Sequence, residues 1–124
     1  LRYYSWIVDR FHISTMVYQR MYRGRKYDFR WLEQILHELG FRLVFCTRAP
    51  NTFPEARADR IKVSGNPSQY DDLQVFIAEQ EAMAQLIEES LLPSLSLDVS
   101  DGDIPKAVDS IAAWLEATGG LSQP

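Results

Sequence analysis

The stretch WIVDRFHISTMVYQR, Trp6–Arg20, decides how this chain is read. Together with the residues just before it, YSWIV is aromatic and β-branched and stops at a charge, the pattern of a buried strand. Asp9 and Arg10 then stand at the carboxyl end of that strand. HISTMVYQRMY follows at once, with Ile13, Met16, Val17 and Met21 near helical spacing and Ser14 placed to cap. A carboxylate beside a guanidinium at a strand end suits phosphate chemistry. Arginine offers a planar fork that matches phosphate oxygens in pairs, and the carboxylate can orient a hydroxyl or meet magnesium. The structural alternative is an ion pair that merely closes the strand.

Outward from this stretch, the remaining segments alternate. YDFRWLEQILHELG reads as a helix, with Asp28 as its cap, an apolar face of Trp31, Leu32, Ile35, Leu36 and Leu39, and Gly40 as its end. FRLVFCT follows as a second buried strand, and RAPNTFP as a loop punctuated by Pro50 and Pro54. EARADR reads as a short helix or a mobile arginine-bearing segment, and SGNPSQY as a loop. A long helix starts at Asp71 or Asp72 and stops before Pro93, with a stripe of Leu73, Phe76, Ile77, Met83, Leu86 and Ile87 that suits a core. SLSLDV is a strand and IPKAVDSIAAWLEATGG a closing amphipathic helix. Strands that are nearly all apolar, alternating with helices, predict an α/β fold: a parallel sheet with helices on both faces. Ligands of such sheets sit at the carboxyl ends of the strands, where Asp9 and Arg10 lie.

A chain of 124 residues suggests one domain, here residues 1–118 with a flexible tail at 119–124, and can bury a core without a disulfide or metal staple. The one cysteine, Cys46, lies in the apolar run LVFC and reads as a buried structural thiol. Two histidines and one cysteine far apart give no metal-ligand spacing, so no metal held by protein ligands alone is expected. A formal charge of −4 argues against a general nucleic-acid partner. The charge is uneven, however. Between Arg20 and Arg30, the cations Arg20, Arg23, Arg25, Lys26 and Arg30 stand with one acid, Asp28, which suggests a local anion site. No apolar stretch is long enough to span a membrane, no signal peptide is visible, and the thiol usage fits the cytoplasm.

DRFHISTMVYQ resembles the signature of thymidylate kinases, in which Asp-Arg precedes a short spacer, a serine, a small or polar residue, a tyrosine and often a glutamine. The matching positions are Asp9, Arg10, Ser14, Thr15, Tyr18 and Gln19. FPEARADRI stands where that family carries its arginine-bearing lid, and the order of later elements is also similar across residues 3–118. The resemblance implies a three-layer P-loop kinase fold and phosphoryl transfer from ATP, with Mg2+, to a nucleoside monophosphate such as thymidylate. It implies that Arg10 grips the acceptor phosphate while Asp9 positions that phosphate and the metal. Ser14 and Thr15 would read the base side, Tyr18 the sugar at its 2′ position, and Gln19 would support the pocket. Arg57 and Arg60 would clamp the transferring phosphoryl group; on the residues alone, a solvated helix face is the favoured reading. A homodimer through the helices around Phe29–Leu39 and the opening helix is also implied.

The pattern is broken in two respects: the lid looks short and is interrupted by Pro50 and Pro54, and the phosphate-binding loop is missing. No G-x-x-x-x-G-K-[ST] occurs in the sequence, and the segment YRGRKYDF has one glycine and no strand before it. In the family that loop follows a first strand lying between the Asp-Arg strand and the LVFCT strand. The expectation is therefore that these residues are the later part of a longer enzyme, with the first strands missing from this chain, and inactive alone. Two other readings remain: a related P-loop kinase with another phosphate acceptor, suggested by Lys62 after Asp-Arg-Ile, or a catalytically silent module binding nucleotide or protein through exposed helices bearing Trp31 or Trp114.

Overall fold

Five helices and two strands account for the architecture of the computed structural model, which describes residues 6–65 and 72–120. In chain order they are α1 (His12–Arg23), α2 (Arg30–Glu38), β1 (Leu43–Thr47), a 3-10 turn (Pro50–Thr52), α3 (Phe53–Ser64), α4 (Leu73–Glu89), β2 (Ser94–Asp98) and α5 (Ile104–Ala117). The protein is mixed α/β and dominated by helix. Its sheet consists of β1 and β2, paired in parallel with Phe45 opposite Ser96.

The helix boundaries follow from local chemistry. The Asp72 carboxylate accepts the Gln74 N–H at 3.1 Å and starts α4, and Asp103 accepts the Lys106 N–H at 3.0 Å and starts α5. For α2 the cap position is Phe29 rather than the expected Asp28, though the Asp28 carboxylate, one residue earlier, still accepts the Arg30 N–H at 2.9 Å. Asp71 and most of SGNPSQY lie outside the described residues. The first helix departs from expectation. Its cap position is Phe11 with no side-chain hydrogen bond, and Ser14 lies a full turn inside. At its other end Gly24 takes φ 61°, a left-handed conformation that closes the helix and is cheap only for glycine. Pro54 does not break α3; it sits in the first turn, where a missing N–H is no loss.

The core lies where α1 and α4 pack on one face of the sheet. Ile13 and Val17 from α1, Phe45 from β1, and Leu86 and Ile87 from α4 are buried together, with Met16, Leu43 and Met83 against them. The opposite face is less covered. Val44 and Cys46 alternate with Phe45 and are exposed, while their register partners Leu95 and Leu97 are half-buried. Cys46 is therefore not the buried thiol expected from LVFC. An uninterrupted apolar run predicts burial on both faces, but a two-stranded sheet with its face open on the Val44 side leaves alternate residues in water.

The expected first strand is the larger correction. Trp6, Ile7 and Val8 form no strand and are exposed, Ile7 to 98%. A strand exists only with a hydrogen-bonded neighbour, and the one edge of β1 that is paired is taken by β2. Among the described residues, nothing supplies such a neighbour for Trp6–Val8; Tyr4 and Ser5 lie outside them.

At the carboxyl end of the sheet, side chains stitch loops to strands. The Gln80 amide brackets Arg48, accepting its N–H and donating to its carbonyl, both at 2.9 Å. The Ala49 N–H reaches the Ser100 hydroxyl at 2.8 Å. The Arg42 guanidinium donates to Thr118 at the end of α5, tying that helix to the entry of β1.

Candidate functional site

The turn before α1 holds the first two expected site residues. Asp9 and Arg10 are both exposed, and Arg10 has φ 60°, the one non-glycine residue with positive φ among those described. A side chain in the left-handed region costs on the order of 1 kcal/mol. Such strain persists where the surroundings enforce it, often at sites where a side chain must be aimed. Two residues on, His12 opens the helix and is 3% exposed.

His12 is part of a buried polar knot. Its Nε2 lies 2.7 Å from Glu33 Oε2, and the rings of Phe11 and Phe29 meet it edge-on. Glu33, itself 8% exposed, also accepts the Ser90 hydroxyl at 2.6 Å and the Leu91 N–H at 3.0 Å. Three segments thus converge on one carboxylate: the start of α1, the middle of α2, and the residues after α4. Burial pushes the Glu33 carboxyl up, but the hydrogen bonds from Ser90, Leu91 and His12 outweigh it and leave the group below the usual carboxylate range. His12 Nδ1 is buried and has no partner. This knot went unread in the sequence, although Glu33 interrupting the apolar run around Leu32 and Leu36 was its one visible sign.

From the knot, α1 carries the remaining expected residues outward. Ser14 is half-buried and Thr15 exposed, with the Thr15 hydroxyl donating back to the Phe11 carbonyl at 3.3 Å. Tyr18 is 51% exposed. Ser14 and Tyr18 stand four apart and therefore on one side of the helix, continued by Tyr22. The Tyr18 and Tyr22 rings lie 5.2 Å apart, and the Arg23 guanidinium lies 5.9 Å from the Tyr18 ring centre. The Tyr22 hydroxyl donates to Glu79 on α4 at 2.5 Å, and that hydrogen bond is the main reason its ionisation is pushed up to about 12. Gln19 is half-buried with its Oε1 buried and unpartnered, an acceptor open to a donor. Tyr22 and Glu79 were not anticipated; Tyr22, four residues beyond Tyr18, could have been.

The lid residues stand apart. Arg57 is half-buried and Arg60 exposed on α3, whose main packing is against the 3-10 turn before it, whereas α1 packs chiefly on α4. The motif residues on α1 are brought together; Arg57 and Arg60 are not among them. Of the two tryptophans considered as docking points, Trp31 is exposed and Trp114 half-buried.

The described residues contain no group of three or more His, Cys, Asp or Glu side chains placed to hold a metal. Asp9 offers one exposed carboxylate. One carboxylate alone builds no metal site; a magnesium ion there would need its other ligands from water and substrate phosphates. No described helix is long and apolar enough to cross a membrane. Comparison with protein-family models, with curated proteins and with solved structures gave no match for this chain.

Proposed function

We propose that this chain supplies the acceptor half of a phosphoryl-transfer site, taking a nucleoside monophosphate of thymidylate type, with ATP as donor. The observation that carries the reading is the Asp9–Arg10 turn. Arg10 has φ 60° just before a helix whose Ser14 and Tyr18 supply a hydroxyl and an exposed ring, with the Gln19 amide behind them. In this reading the Arg10 fork holds the acceptor phosphate and Asp9 holds Mg2+ through its carboxylate. Bound magnesium supplies charge neutralisation on the phosphates. The Tyr18 ring stacks along the sugar, kept in place by Tyr22, which is itself tied to Glu79. Thr15 borders the base, and Gln19 supports the pocket behind it.

Phosphoryl transfer asks little covalent chemistry of a protein. It asks for alignment and for positive charge around the transferring group. Arg57 and Arg60 meet the second need only if α3 closes toward α1, as lids do on substrate binding. A donor-phosphate cradle is the part this sequence does not contain. The free edge of β1, with Val44 exposed beside it and the apolar Trp6–Val8 run unpaired, supports a reading in which further strands complete a three-layer P-loop sheet there. A homodimer and a cytoplasmic setting go with the same reading.

The test is a coupled kinase assay on the natural polypeptide that carries these residues, with ATP, magnesium and a panel of nucleoside monophosphates. Turnover highest with thymidylate is expected. Turnover with another acceptor alone would leave phosphoryl transfer standing and overturn the thymidylate assignment; a folded protein silent across the panel would overturn both.

A further inference from the structure

Behind the face of α1 that carries Ser14 and Tyr18, a concavity opens between α1, the loop leading to α2, and the end of α4. Its volume is about 320 Å³, within the range of small-ligand sites. Its floor is apolar, from Ile13, Met16 and Leu86. On one wall the Tyr27 and Phe29 rings stack, centres 5.9 Å apart and planes within 16°.

Three cations line this cleft: Arg20 from α1, Lys26 from the loop and Arg30 from α2. None forms a salt bridge with a described residue. The carboxylates present are mostly committed. Asp28 caps the Arg30 N–H, and Glu33 is occupied by His12, Ser90 and Leu91. Glu89 alone has no described partner. The three cations and three carboxylates balance in formal charge, but Asp28 and Glu33 are engaged by donors of their own while the cations have no described partner, so the guanidinium and ammonium N–H groups stand available to an incoming anion. Arginine and lysine around an apolar, partly aromatic floor match an anionic head on an apolar body.

We propose that this cleft binds a small organic anion, with a phosphate or carboxylate head held by Arg20, Lys26 and Arg30 and a flat or aliphatic body on Met16 and Tyr27. The site is separate from the one assigned to the acceptor nucleotide and stands whether or not that assignment holds. Glu33 forms part of its wall and is also the partner of His12, so an occupant here sits one residue contact from the helix start that follows Asp9 and Arg10.

The test is calorimetric or NMR titration with phenyl phosphate, benzoate and inorganic phosphate. Saturable binding of phenyl phosphate or benzoate is expected, weaker in high salt, and weakened about tenfold or more by Arg20→Gln or Arg30→Gln, since a charge-assisted contact is lost. Tyr27→Ala, at the exposed rim, should weaken the aromatic probes without affecting folding, and far-UV circular dichroism checks each variant. Phenyl phosphate binding better than benzoate would assign a phosphate head, and the reverse a carboxylate. The proposal is overturned if no aromatic anion saturates at millimolar concentration, or if inorganic phosphate binds as well as phenyl phosphate. It is equally overturned if binding ignores Arg20, Arg30 and Tyr27 but is lost in Arg10→Ala, which would place the probe in the nucleotide site.

Discussion

Replacing Glu33 with alanine tests how the α1 start is held. In the native protein this carboxylate accepts from His12 at 2.7 Å, from the Ser90 hydroxyl at 2.6 Å and from the Leu91 N–H at 3.0 Å. Alanine leaves three donors without their acceptor, in a place only 8% exposed. One orphaned buried polar group costs about 1–3 kcal/mol. Ser90 and Leu91 lie beside the open cleft and can recover water, so the sum falls short of three full penalties. The expected loss is about 3–4 kcal/mol, comparable with breaking one side of a buried ion pair. Urea unfolding followed by tryptophan fluorescence reads it directly, with exposed Glu38→Ala as a control expected within about 0.5 kcal/mol of wild type. Acid titration adds a signed test. The Glu33 carboxyl lies below its usual value of 4.5 when folded, so its contribution is fully present above that pH. It is lost as pH falls through the lower, folded value. Glu33→Gln should therefore differ most from wild type at neutral pH and converge on it in acid. A Glu33→Ala protein within about 0.5 kcal/mol of wild type would refute the knot as a structural tie.

Three further outcomes follow from single contacts. The Tyr22 phenol should ionise near pH 12 and return toward the usual value of 10.0 in Glu79→Gln, seen in the ultraviolet titration of tyrosinate. Gly24→Ala should lower stability by about 1 kcal/mol, because φ is 61° and a methyl there meets no atom within 4 Å, so backbone strain is the whole penalty. Gly24→Asn should cost less, measured by the same urea series. Cys46 should react with a thiol-specific chromogenic disulfide in the folded state, without denaturant, since it is exposed on the open face of β1.

The helices were legible because their signals are local. Asp28 and Asp72 sit within two residues of the N–H groups they cap, and the Leu86 and Ile87 stripe repeats at the helical period. LVFCT and SLSLDV were legible as strands of a parallel sheet, because strands that alternate with helices favour parallel pairing; that these two pair with each other was not. What escaped was everything that depends on a distant partner. Whether Trp6–Val8 makes a strand depends on a neighbour, and whether Cys46 is covered depends on how much packs on the second face. His12 and Glu33 are 21 residues apart, and Glu33 and Ser90 are 57 apart. No spacing rule joins them. At the site, the motif residues on α1 share a side because helix geometry requires it. The distance of α3 from them depends on tertiary packing that the sequence pattern does not encode.

The most direct measurement is the affinity of this chain for thymidylate with magnesium, by calorimetry, for wild type, Arg10→Ala and Arg10→Lys. Loss of a charge-assisted phosphate contact is worth about 1.5–3 kcal/mol, or roughly ten- to a hundredfold in affinity. The account predicts saturable binding weakened by that factor in Arg10→Ala, with Arg10→Lys recovering part of it as a point charge without the fork. Binding indifferent to both substitutions, or none at all by the folded chain, would return Asp9 and Arg10 to a charged turn at the start of a helix.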